Sequence, residues 1–302
     1  MRSDKGNSTM VMYREEYQRE MNKLVNDEET YQKTGRDPTS RLQDLGIKLI
    51  RNLVEKEVID EMEGKRMIKH NTLPPRIYGL RKTHKPGCKL RPVVSSIGSP
   101  SYKIARFVHK ILSPYVMSLR YSMKDSFEFI DKIKGITLSN NYILISLDVV
   151  SLFTNVHKYL INQIIEERWD VICEFVKLDQ ETLLRSINYC FYSGYFVYEN
   201  NFYLQEEGCA MGSPASPTIA IIAVDYVIEK ALAKLSFDVP VITAYVDDLF
   251  TTIPEDKKDD ILTLFNSIDN QIHFTLEEEV NGKLPYLDVM VWRVEEGNLV
   301  TS

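Results

Sequence analysis

Cysteine and long apolar runs are scarce in this 302-residue chain, and each scarcity excludes a class of protein. The four cysteines, Cys88, Cys173, Cys190 and Cys209, stand far apart and form no C-x-x-C pair, so the expectation is reduced thiols and neither a zinc site nor a disulfide framework. No uninterrupted apolar stretch approaches the ~18 residues of a membrane-spanning helix. The N-terminal MRSDKGNSTMVMY lacks the apolar core and cleavage pattern of a signal peptide. An intracellular protein with no membrane partner is expected. The G-x-x-x-x-G-K-[ST] loop is missing, which removes support for a P-loop NTPase, and so is G-x-S-x-G, which removes support for a hydrolase elbow. What is present, 44% hydrophobic and 26% charged residues, suits one or two globular domains with a substantial core.

Acidic residues are absent from one long block. Residues 64–124 hold fourteen Lys and Arg and no Asp or Glu, whereas the remainder holds 23 basic and 43 acidic residues. The overall charge of −6 therefore conceals a strongly basic segment, the electrostatic footprint of a polyanion site. A solvated basic face is the alternative. A disordered tail would not carry the apolar positions Ile77, Tyr78, Leu80, Val93, Val94, Ile97, Ile104, Phe107 and Ile111.

Apolar periodicity predicts a helix over 10–33, a turn at Gly35 to Pro38, and a second helix capped by Thr39 or Ser40 with a stripe of Leu42, Leu45, Leu49, Leu53 and Val54. Two short strands joined by a basic loop at Pro86-Gly87 follow, then a helix from about Ser101 to Leu112. YILISLDVV reads as a buried strand ending at an acid, and helices are expected near 157–168 and 179–192. YFVYENNFYLQ reads as a hairpin. GCAMGSPASP reads as a turn feeding a helix, VITAYVDDLFTTI as two strands around paired aspartates, and 256–268 as an amphipathic helix. HFTLEEEV and KLPYLDVMVW flank Asn281-Gly282, whose residues supply the positive φ of a hairpin turn. The predicted class is α+β, an antiparallel sheet with helices on one face.

Asp148 ends an apolar run, and Asp247 and Asp248 sit between two more. A lone strand-end aspartate is as readily a cap or a turn residue. If the strand at 143–149 lies beside the 241–253 hairpin, all three carboxylates meet at one edge. Hard oxygen donors of that kind suit Mg²⁺. Two such ions about 3.5–4 Å apart assist in-line phosphoryl transfer. Such a reaction also needs cations for the phosphates, for which Arg91, Lys82 and Lys85 are candidates. Gly212-Ser213, expected at a helix start, would add free N–H groups.

At these residues a resemblance becomes specific. SLDVVSLF resembles motif A of reverse transcriptases, MGSPASP motif B and AYVDDLF motif C, in that order, with LRPVVSS resembling the preceding fingers segment. More narrowly, YGLRKTHKPGCKLRPVVSSIGSPSYKIA, SLDVVSLFTNV, CAMGSPASP, LPYLDV and the N-terminal DKGNSTMVMYREEY resemble Penelope-like retroelements, a branch related to telomerase. The resemblance implies a right-hand polymerase fold: an N-terminal helical extension over 1–70, basic fingers over 71–141 and a palm over 142–302. It implies an RNA-directed DNA polymerase that extends a primer on an RNA or DNA template with dNTPs, using two Mg²⁺ ions for which Mn²⁺ can substitute. Asp148, Asp247 and Asp248 would be the catalytic metal ligands, with the Val149 carbonyl contributing. Arg91 would grip the triphosphate, helped by Lys82 and less by Lys85. Gly212 and Ser213 would line the nucleotide pocket. Phe153 would bar a ribose 2′-OH, its alternative being core packing. Met211 replaces the glutamine of many reverse transcriptases but is usual in this group. The family continues into a thumb and, in many members, a GIY-YIG endonuclease, which are expected to be truncated or absent here. Nuclear localisation is a further implication. The rival expectations are a catalytically silent nucleic-acid-binding remnant and a palm-type nucleotidyl cyclase, the latter disfavoured by the basic block and MGSPASP.

Overall fold

The computed structural model describes residues 3–4, 9–81 and 90–302. In chain order the elements are α1 (Arg14–Val25), β1 (Tyr31–Thr34), α2 (Thr39–Glu55), α3 (Glu61–Met67), β2 (Arg76–Arg81), β3 (Leu90–Ser95), α4 (Tyr102–Ser118), α5 (Ser126–Ile133) and β4 (Tyr142–Val149). There follow α6 (Leu152–Asn155), α7 (Lys158–Glu167), α8 (Trp169–Ile172), α9 (Gln180–Tyr192), β5 (Tyr195–Tyr198), β6 (Asn201–Gln205) and α10 (Ser216–Leu232). The last are β7 (Ile242–Tyr245), β8 (Asp248–Pro254), α11 (Lys258–Phe265), β9 (Phe274–Glu278), β10 (Lys283–Tyr286), β11 (Val289–Arg293) and β12 (Leu299–Thr301). Among the described residues no helix is long and apolar enough to cross a membrane.

These elements form two compact units, each made of two chain segments: residues 1–112 with 157–216, and 113–156 with 217–302. The first unit is organised by a sheet of order β1-β6-β5-β2-β3, antiparallel except where β2 meets β5 at Arg76 and Val197. Its core joins Met21 and Val25 of α1 to Tyr31, Ile77, Val94, Phe196 and Tyr203. Helix α1 lies close enough that a Cβ on Gly79 would meet Met21 Sδ at 2.9 Å, and the Gly79 N–H donates to the Tyr17 hydroxyl at 2.9 Å.

The second unit holds two sheets, β7-β8-β4-β9 and β10-β11-β12. Strand β4 lies between β8 and β9, so both of its edges are paired and its run from Ile143 to Ile145 is buried without alternation. A core of Phe129, Ile133, Leu144, Phe250, Leu284, Tyr286 and Val291 links α5 to both sheets. Helix starts in both units carry aspartate caps: Asp60, Asp125 and Asp179 accept from the backbone N–H of Glu63, Glu128 and Thr182 at 2.7, 2.9 and 2.9 Å.

Several expectations need correction. The helix expected over 10–33 stops at Val25, and Tyr31–Thr34 pairs with β6, because a neighbouring strand satisfies its backbone groups better than a further helical turn. In α2 the buried stripe is Leu42, Gly46, Ile47, Leu49, Ile50 and Leu53, while Leu45 faces solvent. Helix α4 runs on to Ser118 with Pro114 inside it. The Asn281-Gly282 turn forms, with φ of +54° and +73°, but its flanking runs separate after the single bridge Val280–Lys283. Strand β9 joins β4, while β10 pairs with β11. KLPYLDVMVW is thus two strands around a turn at Leu287-Asp288, which is hidden from sequence because its positive-φ residue is Leu287 at +51°.

Phe129 is fully buried, with ring centroids 5.0 Å from Phe250 and 4.7 Å from Tyr286. Phe129→Ala should lower stability by about 3–5 kcal/mol, read from denaturant unfolding. A loss within about 0.5 kcal/mol, the range of surface substitutions, would mean that this aromatic cluster is not the core of the unit.

Candidate functional site

The pairing of β4 with β8 sets the position of two of the three aspartates. Its register runs from Tyr142 opposite Pro254 to Asp148 opposite Asp248. The chain immediately before Asp248 is a two-residue hairpin turn, Val246-Asp247, closed by the pair Tyr245–Asp248. The Asp247 carbonyl accepts from the Val149 N–H at 3.0 Å, which ties the turn to the end of β4. Asp148, Asp247 and Asp248 are all half-buried. The backbone therefore brings the three to one end of one sheet. Two like charges directly opposite on neighbouring strands oppose the pairing unless something neutralises them.

The turn is held under strain. Val246 has φ of +57°, a left-handed conformation that a β-branched residue avoids. From the other sheet, the Tyr286 hydroxyl donates to the Asp248 carbonyl at 2.9 Å. Burial, reinforced by the nearby Asp248 carboxylate, raises the Tyr286 phenol well above its ordinary range, so this donor stays protonated. Tyr286 fixes the hairpin from beneath, and sequence reasoning did not assign it; its only signal was its place in LPYLDV.

The donor set suits a hard divalent cation: carboxylate oxygens on adjacent strands, with a third carboxylate at the adjoining turn. Among the described residues no three His, Cys, Asp or Glu side chains converge closely enough to constitute a metal site by themselves. The fit thus lies in donor chemistry and backbone placement. Val149 is buried, and Phe153 lies half-buried in α6, outside the fully packed core.

The other predicted residues belong to the first unit. Arg91 lies on β3 opposite Leu80. Gly212 and Ser213 lie in a segment stitched to the same strand: the Val94 N–H donates to the Met211 carbonyl at 2.8 Å, and the Ser96 hydroxyl to the Gly212 carbonyl at 2.8 Å. The structure thus brings Arg91 and the 211–213 segment to one strand. Lys82 and Lys85 lie outside the described residues. One expectation is corrected here. Helix α10 begins only at Ser216, and the Ser213 N–H is already given to the Ala210 carbonyl at 3.1 Å, so Ser213 does not offer a free helix-start donor. Pro214 lies in the turn that precedes the helix. Sequence reasoning also missed Asp4, whose carboxylate pairs with Arg91 at 3.3 Å.

Gly212 is required where it stands. Its φ is +101°, and a Cβ there would come within 2.3 Å of the Val94 carbonyl oxygen. Gly212→Ala should detach the segment from β3, lowering stability by about 1–3 kcal/mol and accelerating hydrogen exchange at the Val94 amide. An unaltered melting temperature with unaltered Val94 exchange would contradict this contact.

No protein-family model matches the chain, and no curated protein matches it in sequence. Solved structures do resemble it. Telomerase from Candida albicans, solved with a TWJ fragment of telomeric RNA, gives a TM-score of 0.63 at 11% identity over 95% of this chain. Apo telomerase from Candida tropicalis gives 0.58 at 11% identity over 91%. The RNA-dependent RNA polymerase of a human picobirnavirus gives 0.52 at 12% identity over 75%. The chain spans 49%, 56% and 45% of those three chains. At such identities the likeness concerns the fold: this chain shares its mixed α and β architecture, with antiparallel sheets, with polymerase structures.

Proposed function

We propose that this protein is a template-directed polymerase, and within that class a reverse transcriptase of the Penelope-like retroelement kind, acting in the nucleus. The observation that carries the reading is the direct opposition of Asp148 and Asp248 across β4 and β8, with Asp247 in the adjoining turn. The fold likeness to telomerase and to an RNA-dependent RNA polymerase supports it. So does the motif order of SLDVVSLF, MGSPASP and AYVDDLF. In functional terms residues 1–70 would be an extension, 71–141 the fingers and 142–302 the palm.

Asp148, Asp247 and Asp248 would hold the Mg²⁺ ions, with the Val149 carbonyl beside them. When bound, such ions neutralise charge developing on the attacking and leaving oxygens of a phosphoryl transfer. The protein's own residues do the rest. Arg91 orients the dNTP triphosphate through its fork of N–H donors, with Lys82 and Lys85 as auxiliary cations. Gly212 and Ser213 line the nucleotide and template pocket with their backbone. Phe153 occupies the space of a ribose 2′-OH. The basic block receives the template backbone, whose binding should weaken steeply with salt.

Asp148→Asn should lower Mg²⁺-dependent primer extension by several orders of magnitude, with template affinity retained and thermal stability not reduced, since the change relieves crowded negative charge. Extension near the wild-type rate would end the metal assignment. A wild-type chain that binds template but never extends a primer would leave the nucleic-acid-binding reading.

Phe153→Val should raise ribonucleotide relative to deoxyribonucleotide incorporation, because a substrate displaced by about 1 Å costs on the order of 10²-fold in rate. Competition between rNTP and dNTP on one template, run beside a melting curve, checks it. An unchanged ratio with a depressed melting temperature would assign Phe153 to packing.

A further inference from the structure

We propose that Asp4 is the fixed counter-ion that positions Arg91 for a polyphosphate, making Asp4 itself part of the nucleotide site; this rests on the triphosphate reading of Arg91 above. The two side chains meet at 3.3 Å between Arg91 Nη1 and Asp4 Oδ1. Their exposures are unequal. The Asp4 side chain is 2% exposed and that of Arg91 39%, so one partner is enclosed while the other reaches solvent.

Asp4 is held by more than the ion pair. Its N–H donates to the Arg81 carbonyl at 3.0 Å, and Ser3 makes a parallel bridge to Arg81. Arg81 is the last residue of β2, and the preceding Leu80 is the cross-strand partner of Arg91. The Asp4 backbone is thereby pinned to the strand next to the one that carries Arg91. The Arg81 guanidinium is itself paired with Glu16 at 3.4 Å.

The pair is not a closed fork. Among the described residues, Asp4 Oδ2 and Arg91 Nε are both buried with no hydrogen-bond partner. A guanidinium carries five N–H donors in a rigid plane, so an anchor at one Nη leaves the remaining edge directed by the anchor and able to bind another anion. A pinned carboxylate therefore sets the plane of the fork before substrate arrives. This lowers the local positive charge but supplies orientation, which governs alignment of the reacting group. Asp4 is not a stand-in for the substrate anion. Such a stand-in has to leave when substrate binds, and Asp4 is enclosed and held through its main chain.

The test uses the full chain with Asp4→Asn, which keeps shape and removes charge, Asp4→Glu, Arg91→Ala and the Asp4→Asn/Arg91→Ala double variant. Three quantities are measured: dNTP KM and kcat in primer extension, binding of inorganic tripolyphosphate by calorimetry, and template Kd. Asp4→Asn should raise dNTP KM and weaken tripolyphosphate binding about tenfold, equivalent to about 1.4 kcal/mol, with template Kd unchanged. Asp4→Glu should recover part of the loss. The double variant should equal Arg91→Ala, because the two residues act as one unit. Four results would overturn the proposal. Asp4→Asn with wild-type KM and tripolyphosphate binding, while Arg91→Ala loses both, would make Asp4 merely structural and leave the polymerase reading intact. Tighter tripolyphosphate binding in Asp4→Asn would make Asp4 a competing anion. Additive losses would separate the two residues. Arg91→Ala without effect on either quantity would remove the triphosphate role of Arg91 itself, and the proposal with it.

Discussion

The register of β4 against β8 is the constraint on which the candidate site depends. With side chains alternating between faces, a slip of one residue would send Asp148 to the opposite face and Leu147 to the site. The register is specified by the apolar residues behind the acids. Leu144, Ile145 and Leu147 lie opposite Thr252, Thr251 and Leu249, and all six are buried. Hydrophobic burial along the shared length thus stabilises a pairing that its own last rung, Asp148 against Asp248, opposes. The adjoining turn adds to the cost through the left-handed Val246. Tyr286 offsets part of it through its hydroxyl on the Asp248 carbonyl. In the reading proposed above, a cation held by these carboxylates would offset the remainder.

The first unit applies a similar economy to β3. One face of that strand contributes Val94 to the core, and the strand also carries Arg91. Its Val94 N–H and the Ser96 hydroxyl just beyond it hold the 211–213 segment. The basic residue and the glycine turn are therefore positioned by a single rigid element. A loop-borne arginine would lose more orientation on each encounter with an anion than one whose backbone is already in a ladder.

How much of this could be read in advance depended on which signals were local. The β4 strand was legible because a short run rich in β-branched and apolar residues, interrupted only by Ser146 and Asp148, looks alike in sequence and in structure. The cap expected at Thr39 or Ser40 is not there: Pro38 takes the N-cap position of α2 and offers no side-chain bond. The turn at Leu287-Asp288 was not legible, because no glycine, asparagine or proline marks it; the packing of Leu287 and Val289 against the core enforces the positive φ. Strand β1 was hidden behind a helical pattern, since the choice between a further turn and a strand was made by β6, some 170 residues away.

The sequence by itself determined the inventory: three aspartates each next to an apolar run, a basic block free of acids, the glycine of MGSPASP, and the α+β class. Those follow from periodicity, charge and turn chemistry, which act over a few residues. Only the tertiary structure decided that Asp148 faces Asp248, that Asn281-Gly282 separates two sheets, that Gly212 lies against Val94, and that Asp4 meets Arg91. Each of these joins residues distant in the chain through strand pairing or burial. Such pairings are selected by how well whole faces cover one another, a property that no short window of sequence contains.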